Sequence, residues 1–197
     1  MDIISWDLKG QKRKKELSMK KLLAIVLMLC LLVPAALAEE AQVQEVNWED
    51  MGQLLSELDA KGITGDFYVL EEIAVKFWLP TGMNAVELTE EDRAAGYIAY
   101  FLPDDQSAQV AVVYVDADGM DIETYAQSLS EYGATEIEMI QLNGLPGVSY
   151  KVEENDSYNV AFATQRGYIL EFVMSPASAE NAEYVWGLVG ASIQAAE

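Results

Sequence analysis

The chain has 197 residues, 51% of them hydrophobic and 23% charged, which fits one globular domain plus a removable segment. Its 33 acids against 12 bases give a formal charge of −21, with no histidine and a single cysteine, Cys30. These counts exclude Ser-His-Asp and Cys-His machinery and histidine-ligated zinc, and once Cys30 is set aside they exclude thiol catalysis, Fe–S clusters and a disulfide framework as well.

Residues 1–18, MDIISWDLKGQKRKKELS, lack periodicity and end in a basic cluster. They read as a disordered or an untranslated extension. Lys15-Glu16 can be encoded as a purine run resembling a bacterial ribosome-binding site, two codons ahead of Met19, which points to translation from Met19 rather than Met1. Residues 19–38 then read as a secretory signal peptide: Met19-Lys20-Lys21, an unbroken apolar run from Leu22 to Val33, Pro34, and Ala36-Leu37-Ala38 ahead of the cut. The apolar run is short for a membrane span and ends without basic stop-transfer residues, so no stable membrane insertion is expected after cleavage. Cys30 follows bulky Leu27-Met28-Leu29 where a lipoprotein signal has a small residue, and it reads as part of the apolar run. Cleavage after Ala38 removes Asp2, Asp7, Glu16 and seven bases; Lys61, Lys76, Arg93, Lys151 and Arg166 then face thirty acids, a formal charge of −25. Five scattered bases cannot build a phosphate-binding patch, so nucleic acid is excluded as a partner and anionic membrane surfaces are disfavoured.

Residues 39–47 read as a flexible acidic leader, and 48–197 as a single α+β domain. Trp48, Met51, Leu54, Leu55 and Leu58 recur at helical spacing, with Asn47 as the expected N-cap and Gly62 as the stop. Phe67 to Leu70 and Ala74 to Leu79 read as short strands around Glu71-Glu72, the second ended by Pro80. Leu79-Pro80-Thr81-Gly82 lacks the spacing and the hydrophobic tail of a sortase signal and reads as a turn. Thr89 is the expected cap of a helical turn in Leu88 to Ala95. Gly96 to Leu102 and Ala108 to Asp116 form a hairpin whose strands are apolar on both faces, which predicts a sheet covered on both sides.

Asp116, Asp118 and Asp121 converge within six residues as hard-cation ligands do, but the glycine comes too early for a calcium loop, Met120 occupies a ligand position and Gln127 stands where a bidentate Glu belongs. The stretch reads as a strand-to-helix turn with Asp121 capping a helix through Leu129, and no metal or cofactor site is assigned. From Glu136 to Ser175 four strands follow, separated by Asn143-Gly144, Glu153 to Ser157 and Arg166-Gly167. Ser178 to Gln194 is the expected final helix, capped by Ser178, with Ala182, Val185, Trp186, Val189 and Ile193 turned inward.

Two strands ending at Pro80, a hairpin, a helix opened by Asp121 with Tyr125 and Leu129, a Gly144-Leu145-Pro146-Gly147 meander, the Gly167-Tyr168-Ile169-Leu170 strand and a terminal amphipathic helix resemble the PsbP-like α/β/α sandwich from about Asp66 to Gln194. The resemblance rests on order and spacing. It implies a largely antiparallel β-sheet of about six to eight strands flanked by about three helices, in a family of assembly subunits, transport accessories and secreted domains, and it carries over no active-site residue. The chain also resembles small secreted proteins of monoderm bacteria. The expected function is that of a secreted, non-enzymatic binding or interaction domain with an extracellular or cell-envelope partner, for which Trp78, Tyr97, Tyr100, Tyr150, Tyr158 and Tyr168 supply aromatic surface. The alternatives are a carboxylate-dependent extracellular hydrolase, which needs two convergent acids in a concave site, and an acidic cation-binding protein.

Overall fold

The computed structural model describes residues 43–116, 119–164 and 168–196. The described residues all belong to one compact unit, Ala41–Glu197. The extension, the signal peptide and Cys30 lie outside the described residues, as do Ala117, Asp118, Arg166 and Gly167.

The alternating segments pair into two sheets. In the larger, eight strands lie in the order β1 (Gln44–Val46), β7 (Ala134–Leu142), β8 (Leu145–Val152), β9 (Ser157–Ala163), β10 (Ile169–Ser175), β6 (Gln109–Val115), β5 (Tyr97–Leu102) and β4 (Asn84–Ala85). In the smaller, β11 (Gln194–Ala195) and β2 (Gly65–Leu70) flank β3 (Val75–Pro80). Every described pairing is antiparallel except β1 with β7. Among the described residues four α-helices complete the unit: α1 (Gly52–Asp59), α2 (Glu90–Ala94), α3 (Ile122–Leu129) and α4 (Ala182–Ala191). The architecture is α+β, with a largely antiparallel sheet covered on both faces.

Period two sorts the side chains of the central strand β10. Leu170, Phe172 and Met174 join one core with Phe77 and Trp78 of the small sheet and Trp186, Leu188 and Val189 of α4, while Ile169 joins a second core with Ile122, Tyr125, Ala126 and Leu129 of α3. The small sheet and α4 therefore cover one face of the large sheet and α3 covers part of the other. Phe77 ties the layers together, its ring 5.0 Å from that of Phe172 and 5.8 Å from that of Phe101. Gly65 allows the small sheet to close at its end: a Cβ there would stand 2.4 Å from the Leu79 carbonyl oxygen and from the Trp78 ring.

The caps expected at Thr89 and Asp121 are present: Thr89 and Asp92 form a reciprocal capping box, and the Asp121 carboxylate accepts from the Thr124 N–H at 2.8 Å. Four expectations change. Gln44–Val46, read as leader, is a strand beside Ile140–Leu142. Asn47 makes no side-chain cap; Trp48–Met51 is a 3-10 turn before α1, and the Trp48 N–H goes instead to Asn143 Oδ1 at 2.9 Å. Ser178 does not cap the last helix, because its N–H and hydroxyl are both held by the Asp156 carboxylate, and α4 starts after Asn181. Gln194 is not helical but pairs with Lys76 in β11, which adds a third strand to the small sheet beside the expected larger one.

Asn143-Gly144 is the two-residue turn between β7 and β8, with φ of 46° and 84°, the left-handed pair that suits asparagine and glycine. Beyond turning the chain, the Asn143 side chain accepts from Trp48 N–H and donates to the carbonyls of Ala191 at 2.9 Å and Ile193 at 2.8 Å. One amide thus joins the start of the unit, its central meander and the end of α4.

Candidate functional site

Strand β2 is the free edge of the small sheet. All six of its residues pair with β3, from Gly65 opposite Pro80 to Leu70 opposite Val75, and no described strand lies on its other side. Its sequence GDFYVL leaves three consecutive large apolar residues open to solvent: Phe67 is 41% exposed, Tyr68 36% and Val69 46%. Alternation sends them both ways. Phe67 packs edge-on against Trp48 at 5.0 Å with the Lys76 ammonium over its ring, and Tyr68 packs edge-on against buried Phe101 at 4.8 Å.

A cleft of about 480 Å³ opens beside Tyr68, between β2 and the far edge of the large sheet. Its second wall is β4 with the following Val86, Glu87 and Leu88, and Ile98 to Phe101 of β5 form its floor. Val86 is held in line by its N–H to the Tyr100 carbonyl at 2.8 Å and is 40% exposed. Glu71, Glu72 and Glu87 line it with one base, Arg93, so apolar and aromatic side chains share the cleft with an excess of acids.

The aromatic residues expected to supply a surface separate. Trp78 and Tyr150 are buried, Tyr100 and Tyr158 are partly covered, and Tyr97 and Tyr168 are exposed. The two exposed rings do not form one group: Tyr97 packs on Tyr100 and Tyr168 on Tyr114. Of the acidic turn, Asp118 lies outside the described residues and Asp121 is occupied as a helix cap, which holds its carboxyl below the usual range. Among the described residues no three acids are grouped to hold a metal ion. No described helix is long and apolar enough to cross a membrane.

Among the described residues Glu171 is the carboxyl whose pKa the fold raises rather than lowers. It stands in the middle of β10 on the face covered by α3, and both its oxygens accept phenol hydroxyls, Oε1 from Tyr150 and Oε2 from Tyr125 at 3.4 Å. Desolvation raises its pKa, and the two hydrogen bonds only partly oppose that rise. Burial and then the nearby Glu171 charge push the Tyr125 phenol up to about 12 and raise that of Tyr150 as well. No second carboxylate perturbs Glu171, whereas Asp92 and Asp105 are exposed and lowered by hydrogen bonds from Thr89 and Ser107. The arrangement is a partly buried acid fixed by two phenols.

A native pKa above the unfolded one means that the folded chain keeps a proton that the unfolded chain has released. The contribution of Glu171 to stability is therefore complete below the unfolded value of about 4.3 and is lost as pH rises through the native value. Glu171→Gln removes this titration while keeping the side-chain shape. The variant is expected to be more stable than the parent chain at about pH 8 and equal to it at about pH 4, as read from urea midpoints. The same difference at both pH values would show that the carboxylate is solvated in the folded protein.

No family model matches the chain, and no curated protein matches it. Solved structures do. The chain is similar to the cyanobacterial PsbP protein CyanoP of Synechocystis sp. PCC 6803, with 16% identity, a TM-score of 0.48, and 66% of this chain covering 92% of that one. It is also similar to the Ran-binding protein Mog1p of Saccharomyces cerevisiae, with 11% identity, a TM-score of 0.37, and 68% of this chain covering 97% of that one. Neither likeness assigns a role to any residue.

Phe67, Tyr68, Val69 and Val86 were not singled out by sequence reasoning. A Phe-Tyr-Val run reads as a half-buried strand, and nothing in its spacing says that one of its edges is left without a partner. The signal available was local: the run is followed by Glu71-Glu72 and carries no lysine or proline, the residues with which sheets usually protect an edge.

Proposed function

We propose that this chain is a secreted, non-enzymatic binding domain and that its partner seats in the cleft between β2 and β4. The observation that carries the reading is the run of three exposed apolar residues, Phe67, Tyr68 and Val69, on the unpaired β2 edge, of which Tyr68 and Val69 line that cleft. Monomeric proteins rarely leave such surface contiguous and uncovered unless it meets something. Export is supported by the basic, apolar and small-residue succession over 19–38, and a non-enzymatic role by the lack of histidine and by a partly buried acid, Glu171, that has phenols, not a second carboxylate, as its hydrogen-bond partners.

The test is site-directed photo-crosslinking in the producing cell, with a benzophenone side chain at Val69 or, as control, at Tyr132, which is 78% exposed beside α3. A partner adduct from position 69 and none from 132 is expected. Adducts from neither position, or from 132 alone, would remove the cleft reading. N-terminal sequencing of the extracellular form is expected to begin at Glu39; a product retaining residues 19–38 would refute cleavage.

A further inference from the structure

The identity of the occupant can be taken one step further, on the reading that the cleft is the docking site. We propose that it is an extended, cationic peptide segment that adds to the free edge of β2 as a fourth strand of the small sheet.

Three features lead to this occupant. The first is the ladder. A six-residue strand paired on one side alone presents a row of outward N–H and C=O groups, and β2 runs in unbroken register with β3, without the bulge that would twist its edge away. It carries no lysine and no proline, and Asp66 is its single charge. The facing edge, β4, has two residues and offers little ladder of its own, so main-chain pairing falls to β2.

The second feature is the side-chain pattern that an added strand would meet. Successive residues of an extended segment point to opposite faces. Beside β2, one set would lie against Tyr68 in the cleft and the alternate set would lie toward Phe67, both aromatic and both open. In strand addition the main chain supplies affinity and such alternate contacts supply selectivity.

The third feature is charge. Glu71, Glu72 and Glu87 against Arg93 leave the cleft lining with a net charge of −2, inside a chain that is itself strongly acidic. A basic segment is drawn to this lining. A second copy of the chain would bring its own excess of acids to the same edge, and like charges across an interface cost affinity.

The chain from Glu39 onward contains the whole compact unit that begins at Ala41 and is the form to test. The probe is a capped octapeptide of alternating lysine and valine, titrated calorimetrically. Binding is expected, with affinity falling as salt is raised. Methylating alternate backbone nitrogens of the peptide, which leaves its charge unchanged but blocks strand pairing, is expected to abolish binding, and replacing its lysines by glutamates should do the same. Val69→Lys, at an exposed edge position, and the triple variant Glu71→Gln, Glu72→Gln, Glu87→Gln are each expected to weaken binding by about tenfold or more. If Val69→Lys fails to fold, the triple variant and the methylated peptide still decide.

Equal affinity for the methylated peptide would reduce the interaction to non-specific charge attraction and overturn the proposal. So would no heat at millimolar peptide, or self-association of the chain that Val69→Lys abolishes, which would make a second copy the occupant. A crosslinked partner at position 69 combined with no peptide binding would leave the cleft as the docking site and refute only the cationic strand.

Discussion

Ending the chain at Ala177 is expected to leave a product with no cooperative unfolding transition. The cut removes α4 and β11, and with them Trp186, Leu188, Val189 and Ile193, each at most 4% exposed in the main core. Burial at about 1.5–3 kcal/mol per large side chain puts their joint loss at about 6–12 kcal/mol, comparable with the whole stability of a typical domain. Polar groups are stranded as well. The buried Trp78 N–H loses the Ser192 hydroxyl at 2.7 Å, and the Asn143 amide loses both of its carbonyl acceptors. Unpaired groups of this kind cost about 1–3 kcal/mol each when they remain buried. Circular dichroism on heating checks the expectation; a sigmoidal melt of the 39–177 fragment would refute it.

The second large effect is expected at Phe172→Ala, a loss of about 3–5 kcal/mol read as a lower urea midpoint at unchanged slope. Phe172 is fully buried on β10, which pairs with β9 on one side and β6 on the other, so the backbone around the vacated space is held from both directions and cannot collapse into it. Its ring meets Phe77 edge-on at 5.0 Å and lies nearly parallel to Phe162 at 6.3 Å. Removing it deletes one of the ring contacts through which the two sheets share the core. Phe67→Ala is the contrast: that ring is 41% exposed at the edge of the small sheet, and the change is expected to cost less than about 1 kcal/mol. Equal losses at the two positions would mean that the sheets are not joined through Phe172.

The sequence was most informative where one residue type has one local use. Asp121 and Thr89 head helices because a short acceptor at that position satisfies an otherwise orphaned N–H, and the β5–β6 hairpin follows from two apolar runs around Pro103 to Ser107. Periodicity reports a buried face but not which element buries it. Gln194–Ala195 continues an apolar helical pattern and is nonetheless drawn into pairing with Lys76, and Gln44–Val46 is too short and polar to show any period at all. Such distant pairings decide which strands flank each sheet, and the β2 edge stays open because no described strand pairs with it on that side. Glu171 was legible in principle: an acid in the middle of Ile-Leu-Glu-Phe-Val is costly on a covered face unless it finds donors, and the donors come from Tyr125 and Tyr150, far away in sequence.

The position of Asn143 sets an order of assembly. Strands β7 to β10 are neighbours in both sequence and sheet, so their hairpins can close as soon as each turn has been made. Gln44–Val46 has no such neighbour: its partner strand and the amide that receives the Trp48 N–H, 95 residues further on, are made long after it. A chain synthesised from its amino end therefore carries its first strand without its partner until Ile140–Leu142 and Asn143 have been made.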